Sequence, residues 1–553
     1  VAVAAFTSAS TTTRTTAELS GSSSSSSSSS SRRYMTNSNP LNSLMSGVAS
    51  SLFGGSGPSS TNQGLDVAIQ NMDSTTIPSW TGLASSLQEK QTPQEQSFRE
   101  RVASGRVASP LNKIRLFEED QTEDDIHVTF YRDSASWCPY CQKVWLTLEY
   151  KQIPYRVEKI NMRCYGDKPS SFLRIQPGGQ IPVAIINGKV YGQSNDILMA
   201  LEDQFPSSSK TAANKLMPDP NDAKSLAKAQ ELFSLERQLF SAWMGWLTGR
   251  GGNQRQSFER TLEYVDHVLR QQPDGGPFFL GPDLSMVDVQ FSSFLERMVS
   301  SLLYFKGFEM RVPKDDPRRR SSTLYPGINK WFDAMETLEA YQLTKSDHYT
   351  HAHDLPPQLG GCTSERGSER FQDAIDGLDG QSWKLPLEPH LGGAEPDWEW
   401  AGSNDDGAAR REAVERLSFN HESIVKFACR GAGQRGMPPV SAPLADPNAQ
   451  PNEAVQTSVD ACLRLVCRTL LHYDDDTDQT VGGENGVTGD DERSMKILAE
   501  KIKSEGGSEY SQGVIDSLAY LRDRIGVPRD MRLPAARQLR GHLNWAIDTI
   551  SST

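Results

Sequence analysis

The stretch DSASWCPYCQKVWLTLEY, residues 133–150, sets two thiols three residues apart at the head of a run whose apolar residues recur at helical spacing. On either side of it, IHVTFYR (126–132) and PYRVEKI (154–160) carry strand patterns. Farther on, QIPVAIINGKVYGQS (180–194) predicts two strands around Asn187-Gly188, the dipeptide that best supplies the left-handed conformations of a tight hairpin. SNDILMALEDQF (194–205) then predicts a closing helix.

Strand, helix, strand, hairpin and helix in about 80 residues is a thioredoxin-like α/β arrangement. On it, Cys138 falls at the N-cap of the first helix with Pro139 at the first helical position, where a fixed φ suits the helix and the missing N–H costs nothing. Free N–H groups and the positive end of the helix dipole favour a thiolate there, and such placement lowers a thiol pKa from about 8.5 toward 3.5–7.5. Cys141 lies one turn inside, which suits a resolving thiol rather than an attacking one. A zinc half-site and two packed core thiols are the structural alternatives. With no second Cys/His pair at zinc spacing, no metal is expected.

CPYC is the signature of dithiol glutaredoxins, and the surrounding sequence resembles the N-terminal domain of cysteine-type, omega-like glutathione transferases. IQPGGQIPV (175–183) is similar to the family's Asn-Pro-x-Gly-x-Val-Pro segment. That likeness implies that Pro182 is cis and that Ile181 pairs by its backbone with the cysteinyl part of glutathione. YGQSNDIL (191–198) is similar to the Glu-Ser-x-x-Ile segment, which puts Gln193 and Ser194 at the γ-glutamyl group. Gln193 replaces the family's Glu, and Ala135 stands where many glutaredoxins carry a lysine. Glutathione is then a cosubstrate, with Cys138 and Cys141 as the catalytic thiols.

From residue 220 to 347 helical spacing prevails. Ser285-Met286-Val287-Asp288 predicts a capping box that resembles the buried cap of the transferase α-helical domain, so Ser285 and Asp288 are expected as folding residues. YPGINKWFDAMETLEAYQLTKSD resembles a later helix of that domain. Trp243 and Trp246, at i, i+3, suit core positions, with a wall of the second-substrate pocket as the functional alternative.

Seven cysteines in 553 residues are too few for a secreted disulfide scaffold. A net charge of −13 excludes a general nucleic-acid or anionic-membrane binder. No apolar run approaches the roughly 20 residues of a membrane span. Residues 1–120 are expected to form a disordered serine-rich leader, with the run Ser22–Ser31 and a shortage of acids that resembles a plastid transit peptide. Without that address the protein is expected in the cytoplasm. The opening without Met suggests a fragment or trimmed precursor, with order beginning near Ile126.

The expected domains are thus 126–206 thioredoxin-like and glutathione-binding, 220–347 all-α, 348–404 linker, and 405–553 a helical region of unknown role. His348, His351 and His353 are expected as solvated linker residues, not metal ligands. The stripe Val455, Val459, Cys462, Val466 and Leu470 is expected as core. The acidic loop after residue 473 fails as an EF-hand, with Gln479 where glycine is needed and Asn485 where the bidentate glutamate is needed.

These features predict a glutathione-dependent thiol transferase or reductase acting on mixed disulfides or small oxidants. The alternatives are a non-catalytic, redox-responsive scaffold with a transferase fold, or a prostaglandin-synthase-like isomerase. The resemblance leaves a homodimer open, and residues 405–553 suit a protein partner. Because the thiol chemistry lies before residue 200, the C-terminal region is expected to be dispensable for it.

Overall fold

The computed structural model describes residues 62–206, 215–249, 252–272, 275–314, 316–321, 324–387, 395, 406–440, 442–472 and 487–553. Three helices come first: α1 Asn62–Gln70, α2 Trp80–Lys90 and α3 Pro93–Ala103. Ser79 caps α2 by accepting the Gly82 N–H at 3.0 Å, and Thr92 with Glu95 forms a capping box on α3. Leu65, Ile69, Ile77, Leu83 and Leu87 are buried in one core with the helices near the other end of the chain. Trp80 Nε1 donates to Asp460 Oδ1 at 2.8 Å, and Arg468 donates to the Thr75 carbonyl at 2.8 Å.

Residues 62–120 are therefore not an unstructured leader. Five apolar residues thinly spread among Ser, Thr and Gln carry a weak periodic signal, and the surface that covers them comes from residues beyond 400. Residues 1–61, with the serine run, lie outside the described residues.

One sheet follows, in the order β1-β3-β2-β4-β5: β1 Ile114–Arg115, β2 Val128–Asp133, β3 Tyr155–Ile160, β4 Val183–Ile186 and β5 Lys189–Tyr191. β2 and β3 are parallel and are joined by α4 (Pro139–Tyr150), while β2/β4, β4/β5 and β1/β3 are antiparallel. β1 precedes the expected first strand and adds an edge to the sheet. Asn187 and Gly188, at φ 49° and 80°, make the β4–β5 turn. α5 (Ser170–Ile175) and α6 (Ser194–Gln204) complete this α/β unit.

The all-α unit holds α7 (Ala223–Thr248), α8 (Gly252–Arg270), α9 (Met286–Lys306), α10 (Pro326–Met335) and α11 (Glu339–Gln342). At the head of α9, Asp288 accepts from the Ser285 N–H at 2.9 Å, the Phe279 N–H at 3.0 Å and Trp331 Nε1 at 2.9 Å. One buried carboxylate thus ties the helix start to the preceding turn and to α10. Trp243 and Trp246 are buried, their indoles bonded to Ser301 and Glu365.

The segment expected to be a linker is largely folded. α12 (His348–Leu359) is buried along most of its length, and α13 (Glu369–Ile375) and Trp383 pack behind it. Residues 388–394 and 396–405 lie outside the description. The sequence of α12, with two prolines and few aliphatics, resembles a loop. It is held instead by polar groups from other helices. Beyond it, α14 (Asp406–Phe419), α15 (His421–Ala428), α16 (Gln456–His472), α17 (Gly489–Arg522, kinked at Gly507) and α18 (Leu533–Ser552) pack with α1 and α2. The acidic loop at 473–486, with Gln479 and Asn485, lies outside the described residues.

Candidate functional site

Strand register gathers the candidate residues at one end of the sheet. Tyr131 pairs with Val183, so Ile181-Pro182 lies beside the C-terminal end of β2, from which the chain turns through Asp133 to Cys138. Because Ala184 pairs with Tyr191, the β5–α6 turn with Gln193 and Ser194 emerges at that same end. The Ile181-Pro182 bond is cis. Gln193 is the N-cap of α6 and Ser194 its first residue. Gln176 Nε2 bonds the Gly192 carbonyl at 3.2 Å and braces this turn.

Cys138 is the N-cap of α4, 8% exposed, and Cys141 is 2% exposed. Sequence reasoning missed Asp133. Its carboxylate accepts the Trp137 N–H at 2.5 Å and the Cys138 N–H at 3.0 Å, closing the 133–138 loop against the helix start. The positive end of α4 therefore faces an anion as well as a thiol, which the expectation of free N–H groups omitted. Burial, then the adjacent Cys138 and Asp133, push the Cys141 thiol well above its ordinary range. Arg297 and Lys168 couple electrostatically to both Asp133 and Cys138, and Lys143 couples to Cys138. Burial pushes the Lys143 ammonium down to about 7, against the pull of Glu236.

Asp133, Cys138 and Cys141 each offer a ligand atom within 4.8 Å of the others. Three donors fall one short of a closed tetrahedral zinc site.

A buried polar network backs the loop. Arg297 donates to the Trp137 carbonyl and, at 2.7 Å, to Gln142 Oε1, and Gln142 Nε2 donates to Glu296 Oε2 at 2.8 Å. Two of the histidines expected in solvent, His348 and His351, belong to this interior. Trp137 Nε1 donates to His351 Nδ1 at 3.0 Å, His351 Nε2 meets Glu296 Oε1 at 2.8 Å, and His348 Nδ1 meets Ser300 Oγ at 2.8 Å. Burial holds His348 down to about 3 and His351 below its ordinary value. His353 pairs with Asp376 at 2.8 Å. Gln142, Glu296, Arg297 and His351 were not legible as site residues, because they sit on helices whose pattern records only burial.

Cys164, near the same end, bonds Gln358 of α12, and burial pushes its thiol up to about 12. A cavity of about 1260 Å³ lies apart from the thiols, between α3, the β1 approach and the C-terminal helices. Trp243 and Trp246 do not line it.

Residues 137–204 match the family model of the glutathione S-transferase N-terminal domain, and residues 233–319 match that of the C-terminal domain. The middle of this chain is thus similar to the two domains of glutathione S-transferases. The transferase unit is 28% identical over 176 residues to glutathione S-transferase DHAR3, chloroplastic, of Arabidopsis thaliana, covering 31% of this chain and 59% of that relative. Against glutathione S-transferase DHAR2 of the same plant it is 28% identical over 190 residues, covering 34% of this chain and 79% of the relative. Among solved structures, glutathione transferase Omega 3C from Trametes versicolor is 25% identical, covering 42% of this chain and 91% of that one, with a TM-score of 0.34. Among the described residues no helix is long and apolar enough to cross a membrane.

Proposed function

We propose that the chain is a glutathione-dependent thiol transferase or reductase that works through a cysteine nucleophile, Cys138. The observation that carries this reading is the placement of the Cys138 thiol at the head of α4, at the sheet end shared by the cis Ile181-Pro182 bond and the Gln193-Ser194 turn. In the proposed cycle the Cys138 thiolate attacks the glutathione sulfur of a mixed disulfide. A Cys138–glutathione disulfide forms and the substrate leaves as thiolate. A second glutathione thiolate then attacks that disulfide, releasing oxidised glutathione and restoring Cys138. Cys141, more buried and harder to ionise, acts only where an internal disulfide is needed. Arg297 and Lys168 supply positive charge near the reacting sulfur.

The bound glutathione is proposed to lie along Ile181 and Pro182, with its γ-glutamyl end at Ser194 and the head of α6. Mixed disulfides are the first substrate class, and dehydroascorbate, a small oxidant, is the second. Relatives whose names specify the chloroplast support a plastid address, which import of the tagged chain into isolated chloroplasts would test.

The deciding experiment is turnover of a small glutathione mixed disulfide by the full chain. Activity that disappears in Cys138→Ser and survives in Cys141→Ser is expected. Turnover unaffected by Cys138→Ser would end this reading.

A further inference from the structure

Trp137, the residue before Cys138, is held at three points by three parts of the chain. Its N–H reaches Asp133 at the end of β2, its carbonyl accepts from Arg297 of α9, and its indole N–H reaches His351 of α12. Because His351 Nδ1 accepts the indole proton, the ring's own proton sits on Nε2, which donates to Glu296 Oε1. The Ser346 N–H and Gln142 Nε2, both at 2.8 Å, fix the Glu296 carboxylate in turn. An imidazole with both nitrogens engaged in one tautomer, 0% exposed, orients its neighbours and has no free nitrogen for proton transfer.

α12 takes its own position from the end of the chain. Arg540 of α18 pairs with Asp347, the N-cap of α12, at 2.9 Å. The Val527 N–H donates to Thr350 Oγ1 at 3.0 Å, and Tyr349 donates to the Asp523 carbonyl at 3.0 Å. Polar contacts thus tie α18 and the segment before it to α12, and α12 to the residue that precedes the thiol.

We propose that His351 is a positioning residue for Cys138, which it sets by holding Trp137, and that it makes the placement of the thiol depend on the C-terminal helical unit. The significance for turnover rests on the thiol-transfer reading above, but the contact itself does not. A displacement of about 1 Å at a reacting group can cost roughly a hundredfold in rate.

The test measures iodoacetamide alkylation of the Cys138 peptide by mass spectrometry, in the full chain at one pH, with thermal melting alongside. His351→Asn puts an amide oxygen where Nδ1 was, so it keeps the Trp137 bond and loses Glu296. His351→Gln reaches Glu296 and leaves the indole unpaired. The Asn variant should alkylate within about threefold of wild type and the Gln variant should depart by about tenfold or more. With Trp137→Phe as background the two should become equal, because the donor that distinguishes them is gone.

Equal rates in the protein that keeps Trp137, or a difference that persists in the Trp137→Phe background, would overturn the proposal. Should the Gln variant fail to fold, Trp137→Phe alone decides. About a tenfold change in Cys138 alkylation at an unaltered melting temperature supports the proposal, and an unaltered rate overturns it. Failure of the thiol-transfer reading would look different: no mixed-disulfide turnover in wild type, with the alkylation pattern intact.

Discussion

Two closely spaced cysteine pairs ride on helices in this chain, and their surroundings differ in kind. Cys138 and Cys141 begin α4, with Asp133, Arg297, Lys143 and Lys168 close enough for their charges to be felt. Cys462 and Cys467 lie inside α16, 0% exposed, within the aliphatic core of the C-terminal unit. Burial pushes Cys462 up to about 12 and raises Cys467 as well. A thiol becomes useful through a helix end and a supply of charge. The spacing of two thiols does not provide either.

The largest expected effect tests that contrast directly. Cys138→Ser should abolish mixed-disulfide turnover, while Cys467→Ala leaves it within about twofold, on the ground that a packed thiol has no part in exchange. Steady-state assay of both full-length variants checks this, and a comparable loss in each would erase the distinction between the pairs.

The next effect concerns how the C-terminal unit is fastened to the transferase unit. Arg540→Met leaves Asp347 buried without its cation, and loss of one partner of a buried pair costs about 3–5 kcal/mol. Urea unfolding of wild type and variant measures it. A loss below about 1 kcal/mol would mean that the pair does not fasten α12.

A third test uses pH at the same junction. Asp354 of α12 accepts from Tyr165, and burial pushes its carboxyl up to about 7 from an ordinary 3.8. The folded-state pKa is raised, so between about pH 4 and 7 the folded protein keeps a proton that the unfolded chain has lost. The stabilisation from that proton is complete below about pH 4 and is lost as pH rises to 7. Asp354→Asn removes this dependence. Relative to wild type the variant should gain on the order of 2–4 kcal/mol between pH 4.5 and 7.5, read from denaturation curves at each pH. Parallel pH profiles would show that Asp354 ionises freely in the folded protein.

The smallest effect sharpens the description of the second pair as packing. Cys467→Ala should lower stability by roughly 1–2 kcal/mol through lost contacts in a filled core. A calorimetric melt checks it, and a stability gain would show that the thiol is crowded.

How far the chain is legible in its sequence varies with the range of the interactions. β2, α4, β3 and the Asn187-Gly188 hairpin follow from local period and turn chemistry, because each pattern is written within a few residues. The cap at Ser285 and Asp288 is equally local. β1 is too short, at two residues, to leave a pattern. α1 and α2 are hidden because their apolar surface is sparse and its cover comes from α14 to α18.

The sequence by itself determined that a thiol would stand at the head of a helix, since Pro139 and the apolar spacing after it place Cys138 at the N-cap. Only the tertiary structure decided what surrounds that thiol. Asp133 is adjacent in the chain, yet its bonds to Trp137 and Cys138 exist only once the loop has closed. His351 is 214 residues from Trp137, on a segment whose histidines and prolines look like solvated linker, and it is interior because Glu296 and Trp137 supply the partners that make its burial affordable. The physical reason is general. Helical and strand periods record which face of an element is covered, whereas a buried polar side chain is stable only beside specific partners, and those partners come from elements distant in sequence.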